Sequence, residues 1–237
     1  MKPYIRTGLI CSAVVVLATG VISLVTMNKL PHGVDIPVHW GPSGEPDRFA
    51  SRSEALWYVW LVPAITVAMT ALFAAIPYID PRQRNIDTGR RAYLAAWIGA
   101  MVLMALIHLG VSIMMVRAGS PANGSVDFVR WVIAGCGALF ILIGNYLPKT
   151  RSSFMFGIRT PWTLSSDIAW EKTHRLAGPL FMLAGALGIA GAFLFDGILL
   201  ALQLTALVLG AAIISVVYSY FAWRKAEDRD AGTGHIV

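Results

Sequence analysis

Hydrophobic positions along this chain gather into six long blocks rather than into amphipathic stripes. Apolar runs occupy 8–27, 55–79, 92–116, 128–148, 176–195 and 197–223. Each is long enough to cross the ~30 Å hydrocarbon of a bilayer as a helix. None has the period-two alternation or the ~10-residue length of a barrel strand, so the helix is the spanning element. Polar residues collect between the blocks. The pattern predicts an all-α polytopic membrane protein of six transmembrane helices, with a structured outer loop at 28–54 and an interfacial inner loop at 149–175. Four regions follow: a two-span region over 1–80, a third span with its loops over 81–127, a three-span region over 128–223, and a tail over 224–237.

Composition agrees: 57% of the residues are hydrophobic and 14% charged, against the ~25% charged of a soluble globular protein. A polar-shelled soluble enzyme and a disordered chain are thereby excluded. Cys11 and Cys136 both lie in apolar runs, which excludes a disulfide scaffold or a multi-cysteine zinc module. The net charge of +6 is dispersed among the spans, so it points to anionic lipid and not to direct nucleic-acid binding.

Charge also sets an orientation. The N-terminus, loop 80–91, loop 149–175 and the tail together carry fourteen Lys and Arg, and the opposite side carries five. The positive-inside rule then makes both termini cytoplasmic, with loop 28–54 external. The first span follows Lys2 and Arg6 but lacks a small-x-small cleavage site, so it is read as a retained anchor. The fifth and sixth spans are joined by little more than Asp196 and form a tight hairpin. Ala184, Gly188 and Ala192 put small residues four apart on one face of the fifth span, suited to close helix packing. The tail is polar and expected to fray.

The outer loop contains Pro31, Pro37, Pro42 and Pro46 with Gly33, Gly41 and Gly44, which forbid a regular helix. Residues 36–40 read as a short extended segment before a turn at 41–44. His32, Asp35, His39, Glu45 and Asp47 are nitrogen and oxygen donors, but their spacing matches no zinc pattern, and a cap over the helix ends is the favoured reading. The run Ile36-Pro37-x-His39-Trp40-x-x-x-Gly44-x-Pro46-Asp47-Arg48 resembles the signature of a bacterial membrane domain of unknown function. His39, Trp40, Asp47 and Arg48 are its candidate site residues, Trp40 at headgroup level.

The inner loop is denser in specific residue types. Pro148 ends the fourth helix, Lys149 and Arg151 sit among phosphates, and Pro161-Trp162 makes a rigid turn with an interfacial anchor. Ser165 or Ser166 caps a new helix with Asp167 near its positive end. On it Asp167, Trp170 and His174 share a face, and Glu171 pairs with Arg175 at i,i+4. This helix is expected to run along the membrane surface before the fifth span begins.

The stretch from Asn145 to Gly178 resembles the core motif of the SdpI family, multi-span bacterial proteins named for an immunity protein. The matching residues are Asn145, Pro148, Lys149, the run from Gly157 through Leu164, Trp170, Lys172 to Arg175, and Gly178. Ser153 departs from the family pattern, where asparagine is expected. The resemblance implies resistance to a secreted antimicrobial peptide outside the cell and the holding of a transcriptional repressor inside. The candidate partner- or lipid-binding residues are Asn145, Lys149, Arg159, Pro161, Trp162, Asp167, Trp170, His174 and Arg175. Arg159 would form paired bonds to phosphate or carboxylate. Trp162 would fix the turn, and Trp170 with His174 would present the docking face. Arg82, Arg84 and Arg90 are assigned mainly to orientation.

No nucleophile-plus-base arrangement, phosphate loop or HExxH motif occurs, so no catalytic residue, cofactor or metal is assigned. A small-solute or proton transporter using His108, the one ionisable residue well inside a span, is an alternative. The simpler reading is a neutral imidazole bonded to a neighbouring helix, to Asn145 or a threonine, with Gln203 behaving likewise. A membrane enzyme acting on lipid-linked substrate near His174 is the second alternative. Arg130 is expected to snorkel to the interface, and Asn123 opens a glycosylation sequon without weight in a bacterial chain. The sequence sets no oligomeric state.

Overall fold

The computed structural model describes residues 1–41, 43–119 and 125–229. Pro42 of the expected turn, the Asn123 sequon and the last eight residues of the tail lie outside them. The described helices are α1 (Pro3–Lys29), α2 (Arg52–Ile79), α3 (Gln83–Thr88), α4 (Arg90–Val116), α5 (Ser125–Tyr146), α6 (Pro161–Ser165), α7 (Asp167–Leu194) and α8 (Gly197–Arg224). Six of these are long and apolar enough to span a membrane. The protein is an all-α polytopic membrane protein with one small β-element.

The spans form two three-helix groups. In the first, α1 packs on α2 and on α4; in the second, α7 packs on α5 and on α8; α4 and α5 join them. The third span thus packs against the first two. Trp97 of α4 fills the first group: its ring stacks on Phe73 at 5.6 Å, and its indole N–H donates to Ser12 at 2.9 Å. Gly8 clears room for it, since a Cβ there would lie 2.4 Å from the ring.

The second group is held by glycine. A Cβ on Gly137 would meet the carbonyl oxygen of Gly185 at 2.7 Å, and one on Gly144 would meet that of Gly178 at 2.6 Å. Both pairs are seven residues apart on their own helices, two turns, so α5 and α7 touch backbone to backbone. Such close approach is how helices associate where lipid removes the hydrophobic drive. The face read from sequence, Ala184, Gly188 and Ala192, is buried; Gly188 receives Leu204 of α8 and Gly191 receives Gln203. The Gln203 amide donates to the Gly188 carbonyl at 3.0 Å, the interhelical bond expected of it.

At one end, which we call the hairpin end, residues of the outer loop form β1 (Ile36–Trp40) and β2 (Pro46–Ala50), paired antiparallel. Ile36 is fully buried against Leu30, Ala55, Val59 and Met115, so the hairpin caps the ends of α1, α2 and α4. Trp40 meets Phe128 of α5 edge to face, tying the cap to the second group. Arg130, expected at the interface, lies at the hairpin end of α5. It donates to the Ala192 carbonyl at 2.8 Å and pairs with Asp196, closing the end of α7. A cation suits the unsatisfied carbonyls at a helix C-terminus.

Candidate functional site

The opposite end, the loop end, collects the N-terminus, residues 80–90, residues 147–166 and the start of the tail. Asp80 caps α2 and is fully buried. One carboxylate oxygen accepts from the Arg82 amide at 2.6 Å. The other accepts from the Ser153 hydroxyl at 2.7 Å and the Met155 amide at 2.9 Å. Ser153, the departure from the family pattern, is thus the residue that reaches the buried carboxylate, and its oxygen also accepts from the amides of Met155 and Phe156.

Arg82 reaches the same loop from outside. Its guanidinium donates to the Ser152 hydroxyl and to the Leu164 carbonyl, the latter at 2.7 Å, and lies over the Phe154 ring. Asn85 donates to the Ser152 carbonyl at 2.7 Å. The assignment of Arg82 mainly to orientation is therefore corrected: it clamps loop 150–164 onto the α2–α3 junction. Phe156 completes the join by packing on Tyr93.

The surface helix expected before the fifth span is absent in that form. Ser166 caps α7 by accepting from the Ala169 amide at 2.9 Å, and the helix then runs unbroken for 28 residues through Pro179. At ~1.5 Å per residue it is ~42 Å long, more than the hydrocarbon thickness, so its first turns stand clear of the span. The loop wraps them. His174 is fully buried, with Trp170 stacked on it at a ring distance of 4.0 Å and 2% exposed. Its Nε2 accepts from the Ile158 amide at 2.9 Å, so Nδ1 carries the proton and donates to the Trp170 carbonyl at 2.8 Å. Gly157 permits this approach: its φ is +111°, and a Cβ would lie 2.7 Å from both rings.

Trp170 and His174 thus share a face as expected, but that face is turned inward and offers nothing to a partner. Asp167 leaves it and is exposed. Arg159 is exposed, with one guanidinium nitrogen on the Phe154 carbonyl at 2.6 Å. Pro161 opens α6 behind the Thr160 cap, and Trp162 packs edge to face on Tyr220 of α8. Arg175 is exposed and lies 3.8 Å from Glu171, the expected pair. Lys149 lies over the Tyr146 ring, and Asn145 is exposed. Arg159, Pro161, Asp167 and Arg175 are thus exposed and Trp162 half-buried, in the loop and first turns that enclose the buried pair.

Two further ties escaped the sequence reading. Asp87 of α3 accepts from Lys2 at 2.7 Å and from the Tyr4 hydroxyl at 2.8 Å. Asp228 bonds the Ser166 hydroxyl and the Ile168 amide, so the first part of the tail is docked on the start of α7 and not frayed. A charged side chain bracketed by helix-formers is the only trace either leaves in sequence.

The hairpin-end residues are more open. His39 and Asp47 face each other across the strands at 2.5 Å, both at least half exposed, and Arg48 is exposed. His108 of α4 is buried and bonds Ser23 of α1 at 3.0 Å, rather than Asn145.

The comparisons with known proteins cover most of this architecture. Residues 149–219 match the SdpI/YfhL protein family, and residues 14–67 match a Domain of unknown function (DUF1648). The Immunity protein SdpI of Bacillus subtilis (strain 168) is 26% identical over 216 residues, which is 91% of this chain and 96% of that protein. No solved structure matches the chain. The chain is thus a multi-pass membrane protein similar to SdpI along most of its length.

Proposed function

We propose that this protein gives its cell resistance to a secreted toxic peptide or a comparable envelope stress, and that its loop end docks a cytoplasmic regulator, a transcriptional repressor being the class implied. Similarity to an immunity protein along nine-tenths of the chain supports the first part. One observation carries the second: loop 150–166 is held by Asp80, Arg82 and His174, while Arg159 on the loop and Asp167 and Arg175 on the start of α7 are exposed and Trp162 is half-buried. Anchoring a loop at a membrane needs one tryptophan and a few cations. A preorganised polar surface is what a docking partner requires, because the ordering cost is met before binding.

In this reading the loop end faces the cytoplasm of a bacterial inner membrane and the hairpin meets the toxic agent. The two ring nitrogens of His174 are both engaged, which leaves none to act as a catalytic base. The test is a killing or reporter assay at matched membrane accumulation. Arg159→Lys and Trp162→Ala should abolish protection or signalling, whereas Arg84→Gln and Arg91→Gln should leave at least half of it. Equal behaviour of the two pairs would make the loop a topological anchor only.

A further inference from the structure

Between α1 and α4, at the hairpin end, a cavity of about 370 Å³ opens on the lipid-facing side of the bundle. Its chemistry is layered. Lys29 and Arg117 stand at its rim, both exposed, and among the described residues neither forms an ion pair. Val21, Val25 and Ile113 form apolar walls continuous with the exposed faces of their helices. Ser112 lines the same cavity, is 4% exposed, and its hydroxyl has no hydrogen-bond partner. A buried hydroxyl without a partner is costly, and a serine on a helix ordinarily bonds the carbonyl one turn back, as Ser215 does to Ala211 here.

We propose that this cavity is a binding site for one anionic phospholipid. Ser112 of α4 lies five residues before Arg117, which caps the end of that helix, about 7.5 Å deeper along the axis. A phospholipid carries its charge, its ester carbonyls and its chains in that order with depth. Lys29 and Arg117 take the phosphate, the Ser112 hydroxyl, enclosed in the groove wall, turns about its Cα–Cβ bond to donate to an ester carbonyl, and an acyl chain lies along Val21, Val25 and Ile113. A free phosphate would satisfy only the rim and leave the hydroxyl and the apolar walls unused. The inference does not depend on the immunity reading.

The test is native mass spectrometry of the full chain in a non-ionic detergent, titrated with palmitoyl-oleoyl phosphatidylglycerol or the matching phosphatidylcholine. The protein should retain one phosphatidylglycerol about tenfold more tightly than phosphatidylcholine, and Lys29→Gln with Arg117→Gln should remove that preference. Lys172→Gln with Lys225→Gln, which removes the same charge at the loop end, should leave the preference intact. Ser112→Ala should weaken both lipids severalfold while raising the melting temperature of the lipid-free protein, because it deletes an unpartnered polar group. Equal loss in the two double variants would reduce the effect to general charge and overturn the site. So would full competition by glycerol 3-phosphate, or a Ser112→Ala protein that binds as the parent does.

Discussion

Asp80 and Ser153 stand 73 positions apart in sequence and share a hydrogen bond of 2.7 Å in a place neither water nor lipid reaches. A buried carboxylate is tolerated only when its lone pairs are filled, and three donors fill these. The bond therefore makes the join between the two helix groups conditional on the inner loop being in place.

Removing the carboxylate should be the most damaging single change at the loop end. Asp80→Ala is expected to cost about 3 kcal/mol and Ser153→Ala about 1.5 kcal/mol, since hydrogen bonds to a charged group exceed neutral ones. Because they share one bond, the double variant should be little worse than Asp80→Ala alone. Thermal melts of the purified chain read this directly, and additive losses would separate the two residues.

The glycine contacts give a sharper contrast. Gly185→Ala would place a methyl 2.4 Å from the Gly137 carbonyl oxygen and should force α5 and α7 apart, costing at least ~2 kcal/mol. Gly210→Ala, where nothing lies within 4 Å, should be neutral or stabilising by up to ~1 kcal/mol. Melting temperatures that fall equally in both would mean that helix propensity, and not the crossing, is being measured.

The tail should respond to acid. Partial burial pushes the Asp228 carboxyl upward, but bonds from the Ser166 hydroxyl and the Ile168 and Asp167 amides outweigh it and hold the pKa below the usual 3.8. A depressed carboxylate stabilises docking above the unfolded value, and that contribution falls away as pH drops from about 3.8 through the folded pKa. At neutral pH, Asp228→Asn should weaken the same contact and speed tryptic cleavage after Arg224 or Lys225 severalfold. Unchanged cleavage would show that Ala226, buried beneath, does the holding.

Orientation is open to a labelling experiment. On a Cys11→Ala, Cys136→Ala background, Ser43→Cys should react with an impermeant thiol reagent in intact cells, and Ser165→Cys only after permeabilisation. Both positions are exposed, whereas Ser152 is 1% exposed and would mislead. The reverse pattern would exchange the roles of the hairpin and the loop.

What could be read from the sequence divides along physical lines. The six spans were legible because length and apolarity alone define a spanning helix. The Trp170–His174 pairing was legible from i,i+4 geometry, but the side that it faces was not: that depends on residues 150–158 folding over it. Asp80 went unnoticed because nothing near it in sequence announces burial; its partners arrive from Ser153 and Met155. Arg82 looked like a topological charge because charge counting is blind to the hydroxyl and carbonyl it meets. The first hairpin strand was legible at 36–40, but its partner was not, because Pro46 argues against a strand unless that strand is an edge, as both are in a two-stranded ribbon.

The pairing of Asp80 with Ser153 also imposes an order on biosynthesis. Chains emerge N-terminus first, at ~5–20 residues per second, so Asp80 waits roughly 4–15 s before Ser153 is made. During that interval the first three spans can enter the membrane, but the end of α2 carries a carboxylate lacking two of its three donors. A ribosome that stopped after α4 would therefore release a half-protein whose Asp80 carboxylate kept only the Arg82 amide of its three donors.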